Sequence, residues 1–227
     1  MNIGLIGYGK MGREIENIAI QNGHVIKFKI NSKNTNQLIA MQMKKIDVAI
    51  EFSTPNSAFS NVKFCLENNT PIVCGTTGWL EQINQIKALC AKKKGAFLYA
   101  ENFSVGVNLF FQLNKSLSKL MHTRDYNIKL EEVHHKTKKD TPSGTAIKLK
   151  NDIKNHNPKI KSINIESKRI GNIKGEHLVQ YESDDDIITI KHSANSRKGF
   201  AKGVILAAEF IKNNRGVFSI EDVLNKT

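Results

Sequence analysis

Apolar positions in the first hundred residues follow two alternating spacings. Short apolar runs have the length of β-strands, and between them apolar residues recur every three or four positions, as on one face of a helix. The strand-like runs lie at residues 2–6, 26–30, 47–52, 71–74 and 96–100. Strands that alternate with helices predict βαβ units and a parallel sheet, in which ligands bind beyond the carboxyl ends of the strands.

The pattern changes beyond residue 106. Apolar positions from Val107 to Leu120 predict a longer amphipathic helix, and further strand-like runs follow it. These runs lie at residues 128–133, 163–166, 178–181 and 187–192, and helical patterns return at 146–154, 200–213 and 220–224. The pattern predicts an α/β protein: a Rossmann-like parallel-sheet nucleotide domain with a second α+β domain that contains a mixed or antiparallel sheet.

A glycine motif follows the first strand directly. Gly7-Tyr8-Gly9-Lys10-Met11-Gly12 has the G-x-G-x-x-G spacing and stands between a strand and a helix, the setting that dinucleotide binding requires. Gly7 allows the tight turn, Gly9 allows the backbone to approach a pyrophosphate, and Gly12 allows the helix to pack on the strand. The motif predicts cofactor contacts along residues 7–12.

The residue that reads the ribose of the cofactor is expected at the end of the second strand. An acidic side chain there would hydrogen-bond the ribose hydroxyls of NADH and repel the 2′-phosphate of NADPH. Asn31 and Ser32 stand at this place instead, and Lys33 follows them. The sequence therefore favours NADPH, or the use of both NADPH and NADH.

The segment from residue 131 to 145 carries the clearest catalytic chemistry. His134, His135 and Lys138 precede Ser143-Gly144-Thr145, which reads as a helix start. Imidazole titrates near neutrality, and the N–H groups of a helix N-terminus attract carboxylates and phosphates. The segment therefore predicts proton transfer to an anionic substrate. The alternative is a solvated basic loop with a capped helix.

Composition narrows the class of protein. Lys and Arg number 34 against 21 Asp and Glu, a net charge of +13, but the lysines are dispersed and no basic stretch is interleaved with aromatic residues. No apolar stretch has membrane-spanning length, no leader precedes the first strand, and the three cysteines have no metal-ligand spacing. We expect a cytoplasmic protein with no metal site and no nucleic-acid or membrane partner.

The chain resembles the dihydrodipicolinate reductase family in motifs that run nearly end to end. Several motifs in the right order are more specific than any one alone. They are Gly7–Arg13, Gly75-Thr76-Thr77-Gly78, Asn102–Asn108, His134–Thr145, Arg169-x-Gly171-x-Ile173-x-Gly175-Glu176-His177 and Ser196-Arg197-x-x-Phe200.

The resemblance implies a fold, an assembly and a reaction. It implies a nucleotide domain at residues 1–105 plus 200–227, a substrate-binding and oligomerisation domain at 106–199, and a homotetramer. The implied reaction reduces 4-hydroxy-tetrahydrodipicolinate, a small cyclic dicarboxylate, with NADPH or NADH, placing hydride on ring C4 as the 4-hydroxyl leaves as water.

The resemblance also implies roles for individual residues. It implies that His134 is the proton donor or acceptor and that Lys138 is the second proton donor. The implied substrate contacts are His135, Ser143, Gly144 and Thr145, and the further cofactor contacts are Gly75, Thr76, Thr77, Ala100, Glu101, Asn102 and Phe103. Arg197 is left between a cofactor contact and a structural ion pair.

Two departures and two alternatives stay open. Asn31 replaces the acid often found at the ribose, and Glu101 stands near the nicotinamide where a small or apolar residue is expected. One alternative is a Rossmann reductase of another small amino or imino acid. The other is a nucleotide-sensing regulator that binds nucleic acid, which would need a basic-aromatic or helix-turn-helix module.

Overall fold

The structure, a computed structural model, describes residues 1–158, 160, 162–196 and 198–226. Its strands are β1 (Asn2–Ile6), β2 (Val25–Ile30), β3 (Val48–Glu51), β4 (Ile72–Cys74), β5 (Ala96–Tyr99), β6 (Asn127–His134), β7 (Ile165–Arg169), β8 (Glu176–Glu182), β9 (Ile187–Ser193) and β10 (Gly216–Phe218). Its α-helices are α1 (Lys10–Gln21), α2 (Ala40–Met43), α3 (Pro55–Glu67), α4 (Ile83–Lys92), α5 (Val105–Met121), α6 (Gly144–His156), α7 (Lys198–Lys212) and α8 (Ile220–Leu224).

The chain divides into two compact units. The first contains Met1–Val105 and Lys198–Thr227, and the second contains Gly106–Arg197. The second junction was predicted at residues 199 and 200, two positions further along the chain. Arg197 itself, left between a cofactor contact and an ion pair, lies outside the described residues.

The first unit is a parallel six-stranded sheet in the order β10-β5-β4-β3-β1-β2. The central strands β3 and β4 are buried at every position. Their continuous apolar character follows from this, because a parallel sheet has helices on both faces. From β1 the chain adds β2 on one side of the sheet and then β3, β4 and β5 on the other, so the topological switch point lies between β1 and β3. Open α/β sheets bind ligands at such a point. The predicted Rossmann-like fold is confirmed.

Helices cover both faces of this sheet. On one face, α1 and α7 pack a core that includes Ile15 and Val204. On the other face, α3 and α4 pack a second core that includes Val62 and Ile86. The carboxyl ends of β1 to β5 are left as loops, so the turns that follow the strands are the available binding surface.

The second unit is a four-stranded mixed sheet in the order β7-β6-β8-β9. Strand β6 pairs parallel with β7 and antiparallel with β8, and β8 pairs antiparallel with β9. Helices α5 and α6 contribute Phe110 and Leu149 to the core against one face. The predicted mixed sheet is confirmed. Within the described residues, no helix is both long and apolar enough to span a membrane.

Several elements differ from the predicted pattern; helix α2 was not predicted, and β7 lies at residues 165–169 rather than 163–166. Strand β10 was not predicted, and it extends the first sheet by pairing parallel with β5. Helix α6 begins at Gly144, two residues before the predicted start at Ala146. Ser143 explains the earlier start, because its side chain accepts a hydrogen bond from the N–H of Ala146 and so caps the helix.

Candidate active site

A cavity of about 490 Å³ lies at the carboxyl ends of β1, β2 and β3. Among the predicted cofactor contacts it is lined by Gly7, Tyr8, Gly9, Asn31 and Ser32. The rest of its lining is Ile6, Ile30, Thr35, Leu38, Phe52, Ser53, Thr54, Ser57 and Asn61. The described residues that line this cavity carry hydroxyl and amide groups but no charged side chain.

The three glycines of the motif do three different things in the structure. Gly7 has a φ of +96°, and any side chain there would overlap the backbone carbonyl of Phe52. A Cβ at Gly12 would lie 2.6 Å from the carbonyl oxygen of Gly7, so the helix can pack on the turn only with glycine here. A Cβ at Gly9 would meet nothing within 4 Å. The turn therefore leaves open space beside bare backbone, as a pyrophosphate requires.

Tyr8 is fixed at the rim of the cavity by charged neighbours. Its hydroxyl donates to the carboxylate of Glu16, which also accepts a 2.7 Å hydrogen bond from Lys29. The Lys29 ammonium lies 4.9 Å from the Tyr8 ring centroid. The hydrogen bond from Lys29 is the main reason that the pKa of Glu16 lies below its ordinary value. Within the same turn, Lys10 is exposed and Met11 packs against the core.

The loop after β3 is held by a buried carboxylate. Glu51 accepts hydrogen bonds from the backbone N–H of Ser53 at 3.0 Å and from the side-chain amide of Asn61 at 3.3 Å. Thr76 contributes through the same loop, because its hydroxyl accepts from the Ser53 N–H at 2.9 Å. A side chain at Gly75 would overlap the Phe52 ring. These two predicted cofactor contacts therefore shape the wall that Ser53 and Phe52 present to the cavity.

The remaining predicted cofactor contacts lie after β4 and β5. Ala100 and Phe103 are buried in the core, and the Phe103 ring lies 5.8 Å from that of Phe52. Asn102 accepts a hydrogen bond from the N–H of Ser104 at 2.8 Å. Thr77 and Glu101 are exposed. None of these five lies among the residues that line the cavity.

The side-chain carbonyl oxygen of Asn31 is hydrogen-bonded within its own loop. That oxygen accepts from the N–H of Lys33 at 2.8 Å, and the N–H of Asn31 donates to Asn34 at 2.7 Å. The hydrogen-bonding pattern leaves the amide NH₂ of Asn31 as its donor group at the cavity wall. A donor here suits a ribose hydroxyl or a phosphate oxygen, and it does not repel a 2′-phosphate as an acid would.

The candidate catalytic side chains of the second unit gather at the end of β6. Glu132 and His134 are two positions apart on one strand and so share a face. Strand pairing sets His177 of β8 opposite Glu132, and Arg169 of β7 beside His134. Glu132 is fully buried, and His134 and His177 are 7% and 5% exposed.

Glu132 is the centre of this cluster. It accepts hydrogen bonds from Arg169 at 3.0 Å and from the N–H of Ser143 at 3.1 Å. His134 Nδ1 lies 3.4 Å and His177 Nε2 lies 3.7 Å from its second oxygen. The His134 contact is an ion-pair distance without the alignment of a hydrogen bond. We call Glu132, His134, Ser143, Arg169 and His177 the Glu132 network.

Burial and hydrogen bonding together set the charges within the Glu132 network. Burial acts to raise the pKa of Glu132, but hydrogen bonds from Ser143 and Arg169 outweigh it, so this pKa lies below its ordinary value and the carboxylate stays ionised. Burial lowers the pKa of His177 to about 4, so this imidazole is neutral near pH 7. Burial also lowers the pKa of His134, while the charge of Glu132 opposes that effect.

Arg169 also holds the loop that carries Lys138. Its guanidinium donates to the carbonyl oxygen of Asp140 at 2.7 Å and to the hydroxyl of Thr141 at 2.8 Å. Lys138 donates to both carboxylate oxygens of Asp140, at 2.8 and 2.9 Å. That hydrogen bond is the main reason that the pKa of Asp140 lies below its ordinary value. The second predicted proton donor is therefore a cation held by a neighbouring carboxylate.

The predicted substrate contacts surround the start of α6. The Ser143 side chain is buried, caps the helix and lies 3.2 Å from His177 Nε2. Gly144 is exposed, and a Cβ there would meet nothing within 4 Å. Thr145 and His135 are half-buried, and His135 Nδ1 lies 2.8 Å from the hydroxyl of Thr137. The open backbone at Gly144 and Thr145 is accessible to an anion.

Several residues of this site were not assigned a role from the sequence. Arg169 and His177 belong to a motif that carried the resemblance, but neither spacing nor residue type indicated that they meet Glu132. Gly175 belongs to the same motif, has a φ of +153°, and would place a Cβ 3.1 Å from His134 Nε2. Glycine therefore keeps that nitrogen uncrowded. The motif from Arg169 to His177 was the signal in the sequence that could have identified these residues.

The Glu132 network also has the spacing of a metal site. One ligand atom each from Glu132, His134 and His177 lies within 4.8 Å of the others. Glu132, however, already binds the Arg169 guanidinium and the Ser143 N–H. A second cation beside that guanidinium would be repelled, so the contacts are better described as a hydrogen-bonded ion-pair network than as a metal centre.

Two family models together match most of the chain. The model described as dihydrodipicolinate reductase, N-terminus, matches residues 1–103, and the model described as dihydrodipicolinate reductase, C-terminus, matches residues 106–224. A 4-hydroxy-tetrahydrodipicolinate reductase of Christiangramia forsetii is 44% identical over 236 aligned residues, covering 99% of this chain and 98% of the relative. One of Thermosipho africanus is 34% identical, covering 100% and 99%.

A solved structure is similar in fold. A dipicolinate-bound dihydrodipicolinate reductase from Paenisporosarcina sp. TG-14 superposes with a TM-score of 0.84 at 22% identity, covering 98% of each chain. The chain is thus similar to these proteins over its whole length, in both units.

Proposed function

The chain belongs to the dihydrodipicolinate reductase family, and from this premise we propose that it reduces 4-hydroxy-tetrahydrodipicolinate to tetrahydrodipicolinate with NADPH or NADH. The reaction consumes one proton per turnover, because the 4-hydroxyl group leaves as water. It belongs to the diaminopimelate route to lysine. The observation that carries the proposal is the Glu132 network, which sets a buried imidazole next to the open start of α6 in a chain that matches this family along its length.

The proposed substrate carries two carboxylates, and the second unit offers groups for them. The first intrahelical hydrogen bond of α6 runs from Ile147 N–H to Ser143 C=O, so the N–H groups of Gly144 and Thr145 precede it. Helix N-termini favour anions by about 0.3–1 kcal/mol each at exposed sites. Lys138 adds a positive charge on the preceding loop. We assign substrate contacts to His135, Gly144 and Thr145 and leave Ser143 the task of holding the helix start.

We assign the role of proton donor to His134. Its imidazole is the group in the Glu132 network that combines burial, a neighbouring carboxylate and a nitrogen left uncrowded by Gly175. A positioned general acid contributes about 10²–10⁴-fold to a rate. Lys138, whose ammonium donates to Asp140, is assigned the role of second proton donor.

The first unit fits a pyridine nucleotide. The open space beside Gly9, the required glycines at positions 7 and 12, and the polar lining of the cavity all suit a pyrophosphate and a ribose. When bound, the reduced nucleotide supplies the hydride. Tyr8 and Asn31 would hold the adenosine end, and the loop at Ser53 would form the opposite wall.

A coupled assay tests the proposed function. The aldolase product of pyruvate and aspartate semialdehyde is supplied with NADPH or NADH, and oxidation of the nucleotide is followed by absorbance. Oxidation is expected only in the complete mixture. Oxidation with other small imino or amino acids in the absence of the aldolase product would instead favour the broader class of Rossmann reductases. No oxidation with any of them would refute a reductase.

We further propose a homotetramer that acts on this small dicarboxylate and has neither nucleic acid nor membrane as a partner. The family membership supports the assembly, and the dispersed lysines give no basic module for a polyanion. Analytical ultracentrifugation tests the assembly, and a monomer at micromolar concentration would contradict it. The neutral cavity lining supports the use of both NADPH and NADH, which their specificity constants would measure.

A further inference from the structure

Glu132 is a buried carboxylate for which the proposed reaction has no direct use. It is fully buried on β6, an inner strand of its sheet, where an ionised group is destabilising unless other groups pair with it. It is contacted from three other segments of the chain, by Arg169 of β7, the Ser143 N–H at the start of α6 and His177 of β8, and by His134 of its own strand. Because these contacts come from several elements, the Glu132 carboxylate has little freedom to move.

We propose that Glu132 is the positioning residue of the active site, which fixes the imidazole of His134 and the anion-binding start of α6 relative to each other. The inference rests on the proposed function, because His134 and α6 acquire their roles there. Glu132 touches neither substrate nor cofactor in this assignment and acts through the two groups that do.

The two oxygens of Glu132 share these tasks unequally. Oε1 accepts from Arg169 at 3.0 Å, and the Ser143 N–H lies 3.1 Å from Oε1 and 3.2 Å from Oε2, so the carboxylate anchors the helix start. Oε2 faces the two imidazoles, with His134 Nδ1 at 3.4 Å and His177 Nε2 at 3.7 Å. Because a carboxylate accepts only, the nitrogen that faces it is favoured as N–H. That choice fixes the protonation of the opposite nitrogen, Nε2, whenever His134 is neutral.

Charge adds a second effect on His134. The charged or titratable groups that face this imidazole are Glu132 on its own strand, Lys138 and Asp140 on the following loop, Arg169 on β7 and His177 on β8. Lys138 and Arg169 act to lower the pKa of His134, and Glu132 is the stronger of the two carboxylates that raise it. Removing the charge of Glu132 should therefore lower the pKa of His134.

The test compares Glu132→Gln with Glu131→Gln. Glu131 is the matched control, because it is the adjacent residue on the same strand, where it pairs with Lys168 outside the Glu132 network. For Glu132→Gln we expect kcat to fall roughly ten- to a hundredfold, the effect of a small misplacement of catalytic groups. We also expect the KM for the dicarboxylate to rise and the KM for the nucleotide to stay unchanged. The limb of the pH–rate profile that reports loss of the acid should move to lower pH.

Glu131→Gln should leave all these quantities at their wild-type values. A merely structural role for Glu132 would lower stability without moving the pH limb. Wild-type kcat and an unshifted limb in folded Glu132→Gln would therefore overturn the inference, as would the same pH shift in Glu131→Gln.

An imidazole titration separates this inference from the proposed function. The ¹⁵N resonances of labelled histidines report the pKa and tautomer of His134 without any substrate, and His134→Gln identifies its signals. A lower pKa in Glu132→Gln supports the positioning role even if the wild type does not reduce the proposed substrate. Turnover by the wild type with an unchanged His134 titration would overturn the positioning role alone. If Glu132→Gln does not fold, Glu132→Asp withdraws the carboxylate by one methylene, and an unaltered His134 titration in that variant is the refuting result.

Discussion

The buried imidazole of His177 should make the protein less stable in mild acid. Its pKa is about 4 against an ordinary value of 6.5, chiefly because burial disfavours the charged form. The unfolded chain therefore binds a proton between about pH 6.5 and pH 4, where the folded chain does not. Since stability rises with pH wherever the unfolded state binds more protons, the contribution of His177 is fully present above pH 6.5 and is lost as the pH falls toward 4.

The size of the effect follows from the two pKa values. A difference of about 2.5 pH units corresponds to roughly 3 kcal/mol, with a slope of about 1.4 kcal/mol per pH unit near pH 5. The side chain is only 5% exposed, so solvent screens this effect little. Because a domain is stabilised by about 5–15 kcal/mol in total, a loss of this size is readily measured.

Urea denaturation at pH 4 to 8 measures this, with His177→Gln as the variant. Glutamine keeps an amide near the position of Nε2, within reach of the Ser143 hydroxyl, but cannot take up the proton. Other groups titrate in the same range, so the decisive quantity is the slope difference between wild type and variant. His122→Gln, at an exposed histidine, controls for the general effect of replacing a histidine by glutamine. Equal slopes in wild type and His177→Gln would refute the reasoning.

Three further predictions concern the two sites. Gly7→Ala should lower the free energy of unfolding by more than about 1–2 kcal/mol, because Gly7 has a positive φ and a side chain there overlaps the neighbouring backbone. Gly9→Ala should unfold like the wild type but bind the nucleotide more weakly. Calorimetry measures the stability and fluorescence titration the binding, and equal stability of the two variants would contradict the assigned roles. His134→Gln should reduce kcat by about 10²–10⁴-fold with little change in the dissociation constant of the nucleotide. Stopped-flow kinetics and equilibrium binding measure the two quantities, and weaker nucleotide binding with unchanged kcat would show that His134 serves the cofactor. Asn31→Glu should shift the ratio of specificity constants toward NADH, because a carboxylate repels the 2′-phosphate; an unchanged ratio would show that this position does not read the ribose.

The sequence predicted the first unit well because its signals are local. A strand, the Gly7–Gly12 turn and a helix follow one another within about twenty residues. Gly7 and Gly12 have steric reasons visible in the backbone, and Gly9 borders open space. Strand β10 was missed because Gly216–Phe218 is only three residues long and has no periodicity of its own. It is a strand only because the β5 edge offers hydrogen-bonding partners, which is a tertiary effect.

The Glu132 network could be predicted only in part. His134 and Lys138 were named because imidazole and ammonium groups stood together before a helix start. Arg169 and His177 reach Glu132 through the registers of a parallel and an antiparallel strand pair, and register depends on the whole sheet. Ser143 was assigned to the substrate, which stays a prediction; its side chain also caps α6, a local contact that the sequence allowed for.

The order of the chain has a consequence for its synthesis. The last segment supplies α7 and β10, which complete the core and the edge of a sheet whose other strands are all made before residue 100. During translation, the first unit therefore waits for the final thirty or so residues, while the inserted second unit is encoded without interruption and can close earlier. A chain that ends before α7 would have its nucleotide turn, but one face of its sheet would be covered by α1 alone. Such a product would be a target for chaperones and proteases rather than a partial enzyme.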